Sequence, residues 1–360
     1  MKHDNVLITG GAGFIGSNVA VHLKEHGQGA RVTVLDNLKR RGSELNLPRL
    51  RESGIRFVHG DIRAREDLEF TAGDPFDLII ECSAEPSVLA GYERPSFVVD
   101  TNLVGTLHCL ELARRHQADM VFLSTSRVYP IAPLRALKLR ETPTRLEIDE
   151  EQDVPGAGPA GISEDFPLSG ARSLYGATKL ASELLVEEYR DAHGIRAVVN
   201  RCGVVAGPWQ MGKVDQGVFS LWLLMHLFER PLKYIGFGGS GKQVRDLLHV
   251  ADLCDLVRLE AESIDRWNGA VWNVGGGRAS SLSLVETTEM CRDITGKCPP
   301  VTGITDERQG DLPIYLSDHS RVTSATGWTP SRSARDVLQD LHDWAAPRLD
   351  TLRGILDGDG

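Results

Sequence analysis

The sequence has few of the features that mark membrane, secreted and nucleic-acid-binding proteins. None of its apolar runs approaches the roughly 18 residues that a membrane-spanning helix requires. The first apolar stretch, Val6–Ile8, is far too short for a secretion signal. Acidic residues outnumber basic ones, 50 to 40, and the net charge of -10 argues against a general nucleic-acid or anionic membrane surface. We therefore expect a cytoplasmic protein with no membrane and no nucleic-acid partner.

Cysteine is also sparse. The six cysteines lack the paired spacing of a metal site and are Cys82, Cys109, Cys202, Cys254, Cys291 and Cys298. We expect them to be reduced and mostly structural, and we predict no metal site. What remains is ordinary for a globular protein of one large domain or two modest ones, with 41% hydrophobic and 25% charged residues in a chain of 360.

A glycine-rich turn follows the first short apolar stretch. Thr9–Gly16 reads TGGAGFIG, in which every third residue from Gly10 is a glycine. Such glycines permit a tight turn, a close approach of a pyrophosphate to the backbone and tight packing of the following helix on a sheet. The amino terminus of that helix offers free N–H groups and the positive end of its dipole to phosphates. The predicted dinucleotide contacts are Gly10, Gly13, Phe14, Ile15 and Gly16.

An acidic residue follows the second predicted strand. This strand, Val32–Leu35, ends at Asp36, about 20 residues after the glycine turn. A carboxylate at this place accepts hydrogen bonds from the ribose hydroxyls of a dinucleotide and repels a 2′-phosphate. It favours NAD as the cofactor, while the basic run Lys39–Arg41 close by keeps NADP open.

Strand patterns continue to alternate with helical ones. Further strands are predicted at Arg56–Ile62, Asp77–Ile80, Met120–Leu123, Ala197–Asn200 and Val271–Gly275. The alternation predicts an α/β fold, a Rossmann-type doubly wound parallel sheet that binds ligands at the carboxyl ends of its strands. Further cofactor contacts are predicted beyond these ends and in the helix expected over Phe97–Arg115, namely Asn37, Asp61, Ile62, Ser83, Ala84 and Asn102.

Two polar residues share one face of a later predicted helix. Tyr175 and Lys179 are four residues apart, and Gly194 can end the helix. A cation beside a phenol stabilises the phenolate and lowers the tyrosine pKa from about 10, which gives a usable base. Alone, such a pair is common on protein surfaces. Together with the dinucleotide motif it predicts proton transfer beside a bound cofactor.

In their order along the chain, these motifs resemble the extended short-chain dehydrogenase/reductases, the superfamily of NAD-dependent nucleotide-sugar epimerases and dehydratases. The resemblance covers nearly the whole chain and rests on Thr9–Gly16, Ser124–Tyr129, Tyr175–Lys179, Arg201–Pro208, Lys242–His249 and Arg308–Asp311. It implies that Tyr175 is the catalytic base, that Lys179 is its cationic partner, and that the Thr125 hydroxyl binds the reacting oxygen. It further implies a nucleotide-diphosphate sugar as substrate and a homodimer or homotetramer.

The resemblance also assigns the substrate contacts and the domains. Arg245 and Arg308 are expected on the diphosphate, and further substrate contacts are expected from Glu85, Ser126, Arg127, Arg201 and Gln216. Residues 1–200 are expected to form the NAD-binding domain, with an insertion at 130–172. Residues 201–360 are expected to form mainly a smaller carboxyl-terminal α/β lobe for the nucleotide sugar, with some segments returning to the Rossmann sheet.

The residues after Thr125 favour one branch of the family. Sugar 4,6-dehydratases carry an Asp-Glu pair where this chain has Ser126-Arg127, so dehydration is disfavoured. The CDP-paratose 2-epimerase branch is more similar, also in Glu141–Arg145, Val214–Gly217 and Gly241–Asp246. It implies epimerisation at carbon 2 of a CDP-deoxyhexose. The alternatives are a 4-epimerase of a UDP-sugar, a net oxidoreductase or decarboxylase on the same fold, and a non-catalytic dinucleotide sensor.

The segment 130–172 has no clear periodicity. It contains several Pro and Gly residues and the acidic run Glu147–Asp153. A loop of this length is either functional or loosely ordered. Because both its ends adjoin catalytic motifs, we favour a lid or subunit contact near the sugar over a solvated insertion.

Overall fold

The computed structural model describes residues 2–27, 29–69, 75–211 and 217–357. It divides into two compact units. Unit 1 comprises Met1–Val128, Leu174–Arg201 and Cys254–Val271, and unit 2 comprises Tyr129–Ser173, Cys202–Leu253 and Trp272–Gly360. The segment expected as an insertion in the cofactor domain thus groups with unit 2. No helix within the described ranges is long and apolar enough to cross a membrane.

The strands, in chain order, are β1 Asn5–Thr9, β2 Arg31–Asp36, β3 Arg56–His59, β4 Leu78–Glu81, β5 Asp119–Thr125, β6 Leu139–Glu141, β7 Leu146–Ile148, β8 Ala157–Gly158, β9 Gly161–Ile162, β10 Ala197–Cys202, β11 Val204–Ala206, β12 Leu232–Ile235, β13 Val244–His249, β14 Val271–Val274, β15 Ser281–Ser283, β16 Val301–Ile304 and β17 Ile314–Tyr315. The α-helices are α1 Phe14–His26, α2 Leu47–Glu52, α3 Ala90–Glu93, α4 Pro95–Val99, α5 Gly105–His116, α6 Ile131–Arg135, α7 Leu174–His193, α8 Val218–Leu227, α9 Val250–Glu262, α10 Ile264–Trp267, α11 Leu284–Thr295, α12 Ser320–Thr326, α13 Ala334–Ala345 and α14 Leu349–Asp357.

The main sheet has seven strands in the order β14-β10-β5-β4-β1-β2-β3, and unit 1 is built on the run from β10 to β3, with only Val271 of β14 assigned to it. Neighbours pair in parallel from β5 through β4 and β1 to β2 and β3. From β1 the chain adds β2 and β3 on one side, and it then returns to add β4 on the other side. Ligands of such sheets bind at this reversal, beyond the carboxyl ends of the strands. The predicted doubly wound parallel sheet is confirmed.

The core of unit 1 follows from the alternation of side chains along its central strands. Every second residue of a strand faces the same side of the sheet. Leu7 of β1, Ile79 of β4 and Phe122 of β5 belong to one buried cluster with Leu110 of α5 and Val186 of α7. Helices α5 and α7 therefore cover the face of the sheet on which these residues lie.

The helix predicted over Phe97–Arg115 has a wider turn at its centre. It runs as α4, a π-helical turn over Asp100–Val104, and α5. A π-turn leaves a backbone carbonyl without its usual partner one turn on, and such turns are frequent at functional sites. The predicted cofactor residue Asn102 lies in this turn.

Unit 2 combines small sheets with a helical core. Its main sheet has the order β11-β13-β15, with β17 also paired to β13, and β12 pairs with β16. Residues of α8, α11 and α13 form one buried cluster, which includes Trp222, Cys291 and Leu341. His249 is a buried core histidine whose Nδ1 accepts a hydrogen bond from the Ala251 N–H at 2.9 Å.

The segment 130–172 is more regular than its composition predicted. It contains α6 and two short antiparallel hairpins, β6–β7 and β8–β9. Arg145, next to the first hairpin turn, binds Glu147 at 2.9 Å and the Ser281 hydroxyl at 2.6 Å. Thr144 of the same turn donates to Glu286 at 2.9 Å. These contacts, which a periodicity analysis cannot detect, fix the hairpin to α11 and the strand before it within unit 2.

Candidate active site

The glycine turn of unit 1 leaves room for a pyrophosphate. Gly10 has a φ of +65°, and a Cβ atom there would lie 2.9 Å from the backbone of Cys82. Helix α1 begins after Gly13 without a side-chain cap and without an acidic residue in its first turn. Neither a capping side chain nor an acidic residue of the first turn therefore neutralises its first N–H groups and its positive dipole end. The turn fits the phosphates of a dinucleotide, with Phe14, Ile15 and Gly16 supplying the first N–H groups of the helix.

Asp36 ties the end of β2 to this turn. Its carboxylate accepts hydrogen bonds from the N–H of Ala12 at 3.1 Å and of Leu38 at 2.8 Å. Burial raises the pKa of Asp36, and these two N–H groups act against that rise. The carboxylate is therefore oriented by the turn it adjoins, in the place where ribose hydroxyls are expected.

The next two predicted contacts lie in the loop after β3. The strand ends at His59, earlier than predicted, because Asp67 rather than a strand neighbour accepts the N–H of Asp61 at 2.8 Å. The Asp61 carboxylate accepts from Asn37 at 2.8 Å and from Arg63 at 2.6 Å, and these bonds, above all those from Arg63, lower its pKa. Asn37 and Asp61 are thus brought together.

Ile62 contributes differently from its polar neighbours. Its side chain is buried in the core of unit 1, and a Cβ atom on Gly105 of α5 would lie 2.5 Å from it. Its carbonyl oxygen lies 2.8 Å from His108 Nδ1. The Ile62 side chain therefore packs this loop against α5. The predicted contact of Ile62 with the cofactor stays a prediction.

Asn102 connects the loop after β4 to the catalytic helix. Its side chain accepts from the Glu85 N–H at 2.7 Å, donates to the Glu85 carbonyl at 3.1 Å and donates to Thr178 Oγ1 at 3.2 Å. Its carbonyl, in the π-turn, accepts from Ser182 at 2.9 Å. Asn102 thus holds the half-buried Ser83–Glu85 loop, which contains Ala84, against α7.

The predicted catalytic residues lie where α7 packs on the end of β5. Thr125 is the last residue of β5, and its Oγ1 accepts from the Arg127 N–H at 3.2 Å. Gly176 in the first turn of α7 comes so close to this turn that a Cβ atom would lie 2.0 Å from the Arg127 carbonyl oxygen. Any larger residue would push Tyr175 away from the strand end. The glycine between Tyr175 and Lys179 therefore has a packing reason.

Tyr175, Lys179 and Thr125 are all buried, at 9%, 1% and 7% exposure. The Lys179 Nζ lies 3.9 Å from the centroid of the Phe122 ring of β5. A buried ammonium over an aromatic face is held by the ring quadrupole and desolvated. The pair is thus a preorganised cation and phenol rather than two surface side chains.

A buried ion pair next to Thr125 was not found from the sequence. Arg201, at the end of β10, donates to Glu183 of α7 through Nη2 at 2.7 Å and through Nε at 3.1 Å. Ser124, which precedes Thr125, also donates to Glu183. Glu183 lies four residues after Lys179 on the same helix, but this spacing does not identify Arg201 as its partner. Arg201 was predicted as a substrate contact. In the structure its guanidinium forms an ion pair with the Glu183 carboxylate.

The predicted diphosphate arginines belong to unit 2. Arg245 Nη2 lies 2.7 Å from an Asp311 carboxylate oxygen and 2.7 Å from the Leu312 carbonyl oxygen. Asp311 ends the Arg308–Asp311 motif, so the two arginine motifs are adjacent. Arg308 is half-buried. Gln216, predicted on the substrate, lies outside the described residues, while Ser126 and Arg127 are half-buried in the turn after β5 of unit 1.

The sheet, the glycine turn and the Tyr175–Lys179 pair define an extended short-chain dehydrogenase/reductase. The model of the NAD dependent epimerase/dehydratase family matches residues 6–275. The chain belongs to this family, and its cofactor is NAD. The predicted enzyme class, NAD-dependent epimerase, is confirmed.

Sequences of relatives and solved structures align with nearly the full length of this chain. The chain is 31% identical over 349 residues to the CDP-paratose 2-epimerase of Salmonella typhi, and the alignment covers 95% of this chain and 99% of that protein. It is 28% identical over 351 residues to the UDP-glucose 4-epimerase of Corynebacterium glutamicum, with 94% of each covered. The solved UDP-glucose 4-epimerase of Thermus thermophilus, in complex with NAD, has a TM-score of 0.77 at 27% identity and covers 97% of this chain and 99% of that one.

Proposed function

We propose that the protein epimerises a nucleotide-activated sugar through a transient keto intermediate. The observation that carries the proposal is the packing of Tyr175 and Lys179 of α7 on the end of β5 at Thr125. The glycine turn and Asp36, which fit NAD, lie in the same unit. A base, a buried cation and a hydroxyl donor are the groups that oxidation of a sugar hydroxyl and reduction of its ketone require.

Each residue has one task in this reaction. NAD, when bound, supplies the hydride acceptor and donor, so that no net oxidation occurs. Tyr175 as phenolate takes the proton of the sugar hydroxyl and later returns it. Lys179 stabilises the phenolate, and Thr125 hydrogen-bonds the reacting oxygen. Because the three side chains are already buried, little reorganisation precedes the proton transfer.

We propose carbon 2 of a CDP-deoxyhexose, of the CDP-paratose and CDP-tyvelose type, as the reacting centre. The similarity to the Salmonella enzyme over 95% of the chain supports this choice, as does Ser126-Arg127 in place of an acidic pair. Unit 2 would hold the diphosphate through Arg245 and Arg308, since guanidinium groups suit phosphate oxygens. The similarity to UDP-glucose 4-epimerases favours epimerisation of a UDP-sugar at carbon 4 as the second candidate.

The test is incubation with a panel of CDP- and UDP-sugars, read by NMR. We expect one CDP-deoxyhexose to reach an equilibrium of two epimers. Equilibration of a UDP-sugar alone would select the second candidate. If all sugars remained unchanged with NAD present, the proposal would be abandoned.

Tyr175→Phe tests the catalytic assignment. We expect turnover to fall by about 10²–10⁴, the usual contribution of a general base, while NAD remains bound. Tyr189→Phe is the matched control, because Tyr189 lies on the same helix and donates to Glu111 at 2.6 Å. Equal turnover in both variants would remove Tyr175 from the mechanism.

We also propose that unit 1 binds NAD and unit 2 mainly the nucleotide sugar, that the enzyme is cytoplasmic, and that it forms a homodimer or homotetramer. The location of the glycine turn in unit 1 and of both arginine motifs in unit 2 supports the first part. Light scattering at several protein concentrations tests the last.

A further inference from the structure

A carboxyl group lies in the core of unit 1 beneath the catalytic helix. Glu81 is the last residue of β4 and has 0% exposure. Its register partners are Thr9 of β1 and Phe122 of β5, so the three side chains point to the same face of the parallel sheet. Phe122 belongs to the core cluster that α5 and α7 cover. Glu81 is therefore enclosed between the sheet and these two helices.

The hydrogen bonds of Glu81 satisfy only part of its carboxyl group. Thr106 of α5 donates to its Oε1 at 2.6 Å. Its Oε2 has no hydrogen-bond partner among the residues that the structure describes. A buried carboxylate is costly without a compensating charge. A cation facing this oxygen would explain why an acidic residue occupies the position.

Lys179 of α7 is a buried cation over the neighbouring strand β5. Its Nζ lies 3.9 Å from the centre of the Phe122 ring, and Phe122 is the neighbour of Glu81 in the sheet register. Burial raises the pKa of Glu81, while the Lys179 ammonium and the Thr106 hydroxyl lower it. A further titratable group here is Cys109 of α5, and burial together with Glu81 raises its pKa well above the usual value. Cys109 therefore stays an uncharged thiol.

Building on the proposed function, we propose that Glu81 is a positioning residue of the catalytic pair, the buried counter-charge that holds the Lys179 ammonium and sets the pH range in which Tyr175 loses its proton. With Glu81 charged, Lys179 is shared between a carboxylate and the phenol. Without that charge, a Tyr175 phenolate becomes the main partner of the ammonium. Tyr175 then ionises at lower pH, because a negative charge nearby disfavours a second one.

The test is a pH titration of tyrosinate absorbance with NAD bound and no substrate present. Subtracting the Tyr175→Phe titration isolates the signal of Tyr175. We expect Glu81→Gln to lower the midpoint of Tyr175 by about one pH unit. Glu260→Gln is the control, since Glu260 is an equally buried carboxyl of unit 1 that binds Asn200 at 2.8 Å, and its midpoint should match wild type.

An unchanged or raised midpoint in Glu81→Gln would overturn the proposal, as would an equal shift in Glu260→Gln. If Glu81→Gln does not fold, Thr106→Val replaces it. Loss of the Thr106 hydrogen bond disfavours the charged carboxylate, so the midpoint should fall in the same direction by a smaller amount, and no shift would again refute the role. The titration needs no turnover, so it can succeed even if every nucleotide sugar in the panel remains unchanged.

Discussion

Removing the guanidinium of Arg201 should destabilise the protein strongly. Arg201 and Glu183 have side chains only 7% and 6% exposed and are joined by hydrogen bonds of 2.7 and 3.1 Å. Solvent screening is therefore weak, and Arg201→Met leaves the Glu183 charge buried with Ser124 as a neutral partner. Breaking one side of such a pair costs about 3–5 kcal/mol. In Arg201→Met/Glu183→Leu, where no charge is stranded, most of this loss should be recovered.

Urea unfolding measures these differences. At a loss of this size the midpoint of Arg201→Met should fall by roughly 1 M or more. Arg65→Met is the matched control, because Arg65 forms an exposed pair with Glu69 at 3.5 Å, and surface pairs contribute about 0–1 kcal/mol. If Arg201→Met cost no more than Arg65→Met, the buried pair would not have the energetic role described.

The same variants decide whether Arg201 also binds substrate. If its role is to hold Glu183 and the end of β5, the stable double variant should keep the KM for the nucleotide sugar within a few-fold. A large rise in KM without a loss of stability would instead support the predicted substrate contact.

Three further outcomes are expected. Burial raises the pKa of Glu260 to about 8, above the unfolded value of about 4.3. The contribution of the protonated Glu260 carboxyl to stability is therefore fully present below about pH 4 and is lost as the pH rises through 8. Glu260→Gln, which can still accept from Asn200, should therefore raise the urea midpoint at about pH 9 and hardly change it at about pH 4; equal shifts would contradict this. Asp36→Ser should shift the ratio of NAD to NADP affinity at least about tenfold towards NADP, measured by equilibrium titration, and an unchanged ratio would refute the role of Asp36. Arg145→Ala should speed amide exchange over 139–148 but not at Arg201, and uniform protection would show that other contacts hold the hairpin.

The scaffold could be predicted because it depends on local patterns. The first strand, the glycine turn and Asp36 are separated by short stretches, and β2 lies within one residue of its predicted ends. The helix bearing Tyr175 runs from Leu174 to His193 and ends directly before Gly194, the residue that was expected to end it. Hydrophobic periodicity and turn residues are local properties, so one sequence contains them in full.

The contacts that complete the site could not be predicted in this way. Glu81, Glu183 and Asn102 act through partners far away in the chain, and nothing in the spacing of a buried acid identifies its cation. The π-turn at Asn102 was likewise missed, because its stabilising bonds come from Ser182 of another helix. Long-range polar pairing is a property of the folded core and has no periodic signal.

The most direct test of the central claim is to run the epimerisation in deuterated water and follow the reacting carbon by NMR. In the proposed mechanism, Tyr175 exchanges only the proton of the sugar oxygen, while the hydrogen on carbon leaves and returns as hydride. We therefore expect the epimerised sugar to form with its original carbon-bound hydrogen and without solvent deuterium at that carbon. Incorporation of deuterium there in step with epimerisation would show that a proton is removed from carbon, and it would contradict the account.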